Sequence, residues 1–193
     1  MAKEETELVA LVTGASSGIG ATTAGMLARD GYYVFAAARR MDKLESFRTE
    51  RIEPLAMDVT DNTSIHAAID HISSTKGRID VLINNAGYGE YGLIEGLSLA
   101  DARRQFDVNV FGALEVIKSV LPLMRKQKSG RIIQLGSIVS HISLPAIGWY
   151  AASKHAIKAL MDALRLEVKQ FGIQVVMIEP GPIATGFEEI AFA

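Results

Sequence analysis

Tyr150 and Lys154 stand four residues apart in a stretch that reads as helix, so the two side chains share one face. An ammonium beside a phenol favours the tyrosinate. The pairing therefore predicts a Tyr150 pKa lowered from about 10 towards neutrality, which would make Tyr150 a usable general acid/base. The plain alternative is a solvated Tyr–Lys pair on a helix surface. Ser137 lies 13 residues before Tyr150, just past a predicted strand, where a serine also serves as a cap or turn.

A second group could hold a phosphate. Thr13-Gly14-Ala15-Ser16-Ser17-Gly18-Ile19-Gly20 sits between a predicted strand and a predicted helix. Its spacing is GxxxGxG rather than GxGxxG, but the physical logic is the same. Gly14 lets the chain leave the strand in a tight turn. Gly18 lets backbone approach a phosphate, and Gly20 lets helix and strand pack closely. The helix N-terminus then offers free N–H groups to a pyrophosphate. No Gly-Lys-Ser/Thr follows at the spacing a P-loop requires. The next strand ends Ala36-Ala37-Ala38-Arg39-Arg40, with two guanidinium groups where a ribose-binding carboxylate would stand. Arginine suits a phosphate on the 2′ position, so the reading is NADP(H) rather than NAD. Alone, Arg39 and Arg40 would pass for ordinary solvated residues.

These groups need a scaffold that brings strand ends together. Short apolar runs predict strands at Leu8–Val12, Tyr32–Ala38, Ile52–Met57, Val81–Ile83, Ile132–Leu135 and Ile173–Ile178. Between them, periodic segments predict helices at 19–29, 41–49 and, capped by Asp61, through Ser73. Ser98 would cap a long helix to about Lys128, bent at Pro122. A last helix spans Trp149–Phe171. Repeated βα units with buried strands predict an α/β fold: a Rossmann-like, doubly wound parallel sheet with helices on both faces. The expected strand order is 3-2-1-4-5-6, with the sixth strand an unpaired edge.

Composition bounds the rest. The 193 residues, 49% hydrophobic and 22% charged, suit one globular domain over 1–193. A net charge of −2 gives no electrostatic case for nucleic acid. With no cysteine there is no disulfide, zinc-thiolate site or cysteine nucleophile. His66, His71, His141 and His155 lack zinc-binding spacing, and no metal is expected. The polar start, MAKEETE, does not read as a secretory signal, and no run is long enough for a membrane span. A cytoplasmic protein is the expectation.

The chain resembles the short-chain dehydrogenases/reductases. The resemblance rests on TGASSGIG at 13–20, Asp58-Val59, Asn84-Asn85-Ala86-Gly87, Asn109, Ser137, Tyr150-Ala-Ala-Ser-Lys154 and Pro180-Gly181, in the family's order and spacing. It implies that Asp58 accepts from the adenine amino group with Val59 against the ring. It implies that Asn85, Ala86 and Gly87 flank the adenosine ribose. Pro180, Gly181, Ile183 and Thr185 would contact the nicotinamide half. Ser137 would hydrogen-bond the substrate oxygen, Tyr150 pass the proton, Lys154 also grip the ribose, and Asn109 hold a water near the lysine. The implied activity is NADP(H)-dependent interconversion of a ketone or aldehyde and an alcohol.

Segments 88–92 and 138–142 are apolar and aromatic and carry no arginine or lysine, which favours an uncharged hydrophobic substrate. Rival readings are an NAD-linked alcohol dehydrogenase of the same fold and a non-catalytic dinucleotide sensor. An S-adenosylmethionine methyltransferase would carry an acid where Arg39 stands. The family further implies a homodimer or homotetramer, with Leu114, Ile117, Leu121, Leu160 and Leu164 as apolar positions that suit either the interface or the intramolecular core. It normally continues past Pro180-Gly181 with a substrate-covering segment and a seventh strand. The sequence is therefore expected to be a C-terminally truncated version of a longer chain, with NADP binding kept and turnover poor.

Overall fold

The computed structural model describes residues 7–183. Six strands, β1 (Val9–Thr13), β2 (Tyr33–Ala38), β3 (Ile52–Ala56), β4 (Val81–Asn84), β5 (Gly130–Leu135) and β6 (Ile173–Ile178), form one sheet. Every pairing is parallel, in the order β3-β2-β1-β4-β5-β6. Among the described residues β6 pairs only with β5.

Alternation along the strands divides the core in two. Val9, Leu11, Phe35, Ala37, Leu82 and Ile132 point to one face. There they meet α3 (Asn62–Lys76), α5 (Ala113–Gln127) and α6 (Gly148–Val168) through Ile65, Ile72, Val116, Val120, Ile157 and Met161. Ala10, Val12, Val34, Ala36 and Ile83 point to the other face, against α1 (Gly18–Arg29) and α2 (Met41–Glu45). Because β1 and β2 are buried on both faces, they carry apolar residues along nearly their whole length.

Local signals account for most helix limits. The Asp61 carboxylate accepts from Thr63 N, as its capping position requires. α3 runs three residues past Ser73, because Gly77 at φ +68° supplies the left-handed residue that ends it. α2 is shorter than the predicted 41–49 and stops at Glu45.

Ser98 does cap a helix, accepting from Asp101 N, but the segment to Lys128 is not one uniform helix. α4 (Leu99–Phe106) passes into a π-helical stretch at Asp107–Gly112 before α5 begins. The departure thus falls ten residues before Pro122, which sits inside α5. Gly112 lies where a Cβ would run into the Val59 carbonyl, so this stretch packs directly on the chain after β3. Two of the positions that suited either an interface or the core are decided for the core. Ile117 and Leu121 belong to the core between α5 and the sheet.

Candidate active site

Parallel strands bring their C-terminal ends to one edge of the sheet. There Thr13, Ala38, Asp58, Asn85, Leu135, Ser137 and Pro180, from the ends of all six strands, line a single cleft of about 960 Å³. It opens where β1 and β4 lie side by side while their following helices cover opposite faces, the crevice at which such sheets take ligands.

At one end of the cleft is the glycine turn. Gly14 (φ +66°) and Gly18 (φ +55°) adopt left-handed backbone that few side chains accept. A Cβ on Gly14 would stand 2.8 Å from Asn85 Nδ2, and one on Gly20 would strike the Gly14 carbonyl. Ser17 occupies the N-cap of α1 but makes no side-chain capping bond. Ser16, Ser17, Gly18 and Ile19 line the cleft, so the first turn of α1 is offered to a ligand there. A dinucleotide pyrophosphate fits this cradle.

Thr13, which the sequence reading did not single out, ties the turn to β4. Its Oγ1 accepts from Asn85 N and Ala86 N, both at 3.0 Å, and donates to Asn84 Oδ1 at 3.3 Å. Asn85 Nδ2 donates back to the carbonyls of Thr13 at 2.9 Å and Gly14 at 3.3 Å. Asn85 therefore braces the glycine turn, while Asn85, Ala86 and Gly87 all line the cleft.

Arg39 and Arg40 follow β2 on the cleft wall. Arg40 Nη2 donates to Ser16 Oγ at 3.0 Å and Ser17 Oγ at 3.4 Å, which holds its guanidinium over the turn. Asp58 Oδ1 accepts from Thr60 N at 2.9 Å and Thr60 Oγ1 at 2.7 Å. Burial pushes the Asp58 carboxyl up, but these bonds and the Arg39 charge outweigh it and hold it below the usual range. Val59 sits beside it in the cleft lining.

At the other end, Ser137, Tyr150 and Lys154 line the same cleft. Tyr150 and Lys154 come from α6, one helical turn apart. Ser137 comes from the turn after β5, where it caps Ile138–Ser140. Lys154 Nζ donates to Leu135 O at 3.1 Å and lies 5.6 Å from the Tyr150 ring centre. Burial lowers the Lys154 pKa to about 8.

The expected drop at Tyr150 is not found in the polypeptide alone. Burial pushes its hydroxyl up to about 12, Tyr91 adds to the rise, and the hydrogen bond with Ser137 opposes it. The cost of placing a phenolate in this apolar pocket dominates.

Asn109 is buried in the π-helical stretch. Its Nδ2 donates to Tyr88 O at 2.8 Å and Ser153 Oγ at 3.1 Å, and its Oδ1 accepts from Tyr88 N at 3.0 Å. It thus fastens the loop after β4 to α6. Pro180, Gly181 and Ile183 line the cleft, and the Pro180 carbonyl accepts from Ile138 N at 3.0 Å. Thr185 lies outside the described residues.

Tyr91 belongs to the 88–92 segment that the sequence marks as apolar and aromatic, whereas Arg104 escaped the sequence reading. Tyr91 packs on Tyr150 with ring centres 5.7 Å apart. Arg104, from α4, reaches the cleft wall and donates to Tyr88 Oη at 3.2 Å and Glu90 Oε2 at 3.2 Å. The cleft beyond Tyr150 is therefore not free of basic residues, although this one is paired with carboxylates. His66, His71 and His141 pair with Glu115, Glu53 and Glu179, and His155 contacts the Ala151 carbonyl. Among the described residues no group of three His, Asp or Glu could hold a metal, and no helix is long and apolar enough to cross a membrane.

Comparison with known proteins agrees with this geometry. The profile of the family described as short chain dehydrogenase matches residues 8–192. A 3-ketodihydrosphingosine reductase from Bacteroides thetaiotaomicron is 40% identical over 181 residues, covering 94% of this chain and 66% of that enzyme. The chain thus spans about two thirds of the relative's length. Two solved structures superpose with a TM-score of 0.90. One is an alcohol dehydrogenase from Thermococcus sibiricus complexed with 5-hydroxy-NADP, 29% identical over 97% of this chain and 81% of that one. The other is a short chain dehydrogenase/reductase from Burkholderia phymatum in complex with NAD, 27% identical over 97% of this chain and 70% of that one. Structural neighbours of this fold therefore bind nicotinamide dinucleotides of both kinds.

Proposed function

The chain belongs to the short-chain dehydrogenase family, and on that premise we propose that it is an NADP(H)-dependent oxidoreductase interconverting a ketone or aldehyde and an alcohol on an uncharged hydrophobic substrate. One observation carries the reading. Ser137, Tyr150 and Lys154 share a cleft with the glycine turn, and Arg39 and Arg40 stand at the adenosine end of that cleft.

When bound, the dinucleotide supplies or accepts the hydride. The chain does the rest. The first turn of α1 receives the pyrophosphate, and Gly14, Gly18 and Gly20 leave room for it. Arg39 and Arg40 neutralise the 2′-phosphate. Asp58 accepts from the adenine amino group, and Val59 lies against the ring. Asn85, Ala86 and Gly87 flank the adenosine ribose. Pro180, Gly181 and Ile183 receive the nicotinamide half. In reduction, Ser137 hydrogen-bonds the carbonyl oxygen and Tyr150 gives that oxygen its proton. Lys154 grips the ribose and eases the loss of the Tyr150 proton. Asn109 keeps the site's wall in place, and a water held near Lys154 would resupply protons.

Tyr91, Ile138, Val139, Ile142, Leu144 and Ile147 make the substrate end apolar. The name of the relative, 3-ketodihydrosphingosine reductase, likewise denotes a long-chain ketone, although one that carries an amino group. A cytoplasmic homodimer or homotetramer completes the reading. Phe111, Leu160 and Leu166 are among the exposed apolar residues available for an interface once Ile117 and Leu121 are assigned to the core. An NAD-linked enzyme would be expected to show an acid after Ala38, where Arg39 stands.

Titration of the protein with NADPH and with NADH, followed by a panel of long-chain ketones, tests the proposal. Tighter NADPH binding and ketone-dependent NADPH consumption are expected. Preference for NADH would remove the cofactor assignment. Binding without turnover on any ketone would leave a sensor.

A further inference from the structure

The loop after β4 is anchored at alternate residues. Tyr88 is clamped through its backbone N–H and carbonyl by Asn109. Glu90 N donates to the buried Gln105 side chain at 2.7 Å, and Gly92 N donates to Ala146 O at 2.7 Å. Three backbone anchors over five residues leave little freedom to Tyr91, whose side chain lines the cleft. Its ring meets that of Tyr150 at 5.7 Å between centres and 58° between planes. With Ile147, it completes a small apolar cluster of Val139, Tyr150 and Ala151, separate from the two sheet cores.

We propose that Tyr91 is a positioning residue for Tyr150, holding the catalytic ring against the cleft wall beside Ser137. This rests on the oxidoreductase reading above. The tilted ring contact restricts the rotation of Tyr150, and tilted aromatic pairs of this spacing are favourable. The groups bearing on the Tyr150 hydroxyl come from three elements: Tyr91 from the loop after β4, Ser137 from the turn after β5, and Lys154 from α6 itself. His141, also after β5, is paired with Glu179 at 2.9 Å. Burial is the main cause of the raised Tyr150 pKa, and Tyr91 adds to the rise.

The test compares Tyr91→Phe and Tyr91→Leu with the wild type, using NADPH and a ketone across pH. Tyr91→Phe keeps the ring but removes the second phenol. Reduction needs protonated Tyr150 and fails as pH rises through its pKa. Its alkaline limb should therefore move to lower pH. Tyr91→Leu removes the ring and should lower kcat by about tenfold without weakening NADPH binding. An unmoved limb in Tyr91→Phe, or a Tyr91→Leu defect confined to the KM for ketone, overturns the proposal.

A spectroscopic arm is independent of turnover. Phenolate absorbance of wild type minus Tyr150→Phe, compared with Tyr91→Phe minus the double variant, isolates Tyr150 ionisation. It should come at lower pH without Tyr91, and coincident curves would overturn the proposal. Absence of turnover in the wild type, with the absorbance shift present, would sink the oxidoreductase reading and keep this one.

Discussion

Lys154 Nζ stands 5.6 Å from the centre of the Tyr150 ring and donates to the Leu135 carbonyl at 3.1 Å. The ammonium is thus held by the end of β5 while its own helix carries the acid/base residue. Burial lowers its pKa from 10.5 to about 8. Between those values the unfolded chain binds the extra proton, so the ligand-free protein gains stability as pH rises through this window. Below it, the buried charge is a standing cost.

Lys154→Met should therefore make the ligand-free protein more stable at neutral pH, by on the order of 1–3 kcal/mol. The margin should shrink as pH climbs from about 8 to about 10.5. Urea unfolding at several pH values measures it. A margin that stays constant with pH would mean that the ammonium is not desolvated. The same variant should lose turnover and bind NADPH more weakly, because the ribose contact goes with the charge.

Thr13→Val preserves shape but removes the hydroxyl that takes two backbone N–H groups at the end of β4. Thr13 is fully buried, so water cannot replace the hydroxyl. A loss of about 2–3 kcal/mol in denaturant unfolding is expected, with weaker dinucleotide binding as the braced glycine turn loosens. Unchanged stability would show that the two strand ends do not depend on this hub.

The sheet was legible because parallel strands buried on both faces must be short apolar runs, and alternation along them chooses the face. The glycine turn was legible because positive φ and the close approach of Asn85 leave only glycine at Gly14. What the sequence hid was longer in range. The π-helical stretch at Asp107–Gly112 is a slip in backbone hydrogen bonding that leaves no mark on apolar spacing. Ile117 and Leu121 have a spacing that suits a core or a partner equally, and packing against the sheet decides it. Arg104 reaches the cleft through the placement of α4, not through any local pattern.

Arg39→Asp should weaken NADPH binding by about 2–3 kcal/mol, as expected for a lost charge-assisted contact plus repulsion of the 2′-phosphate. NADH binding should change less or improve. Arg40→Ala should cost less than Arg39→Asp, although it also frees the Ser16 and Ser17 hydroxyls that Arg40 holds. Fluorescence titration with both dinucleotides gives the comparison. Equal losses for NADPH and NADH in Arg39→Asp would show that the guanidinium does not read the phosphate.

The central claim is that Tyr150 hands a proton to a carbonyl oxygen in a site that holds NADPH. Tyr150→Phe keeps the ring and removes the hydroxyl. Reduced-nicotinamide absorbance, followed in a single turnover with saturating NADPH and a long-chain ketone, reads the consequence directly. The wild type should consume NADPH, while Tyr150→Phe should bind it equally well and turn over at least about a hundredfold more slowly. Near-normal consumption by Tyr150→Phe would contradict the account.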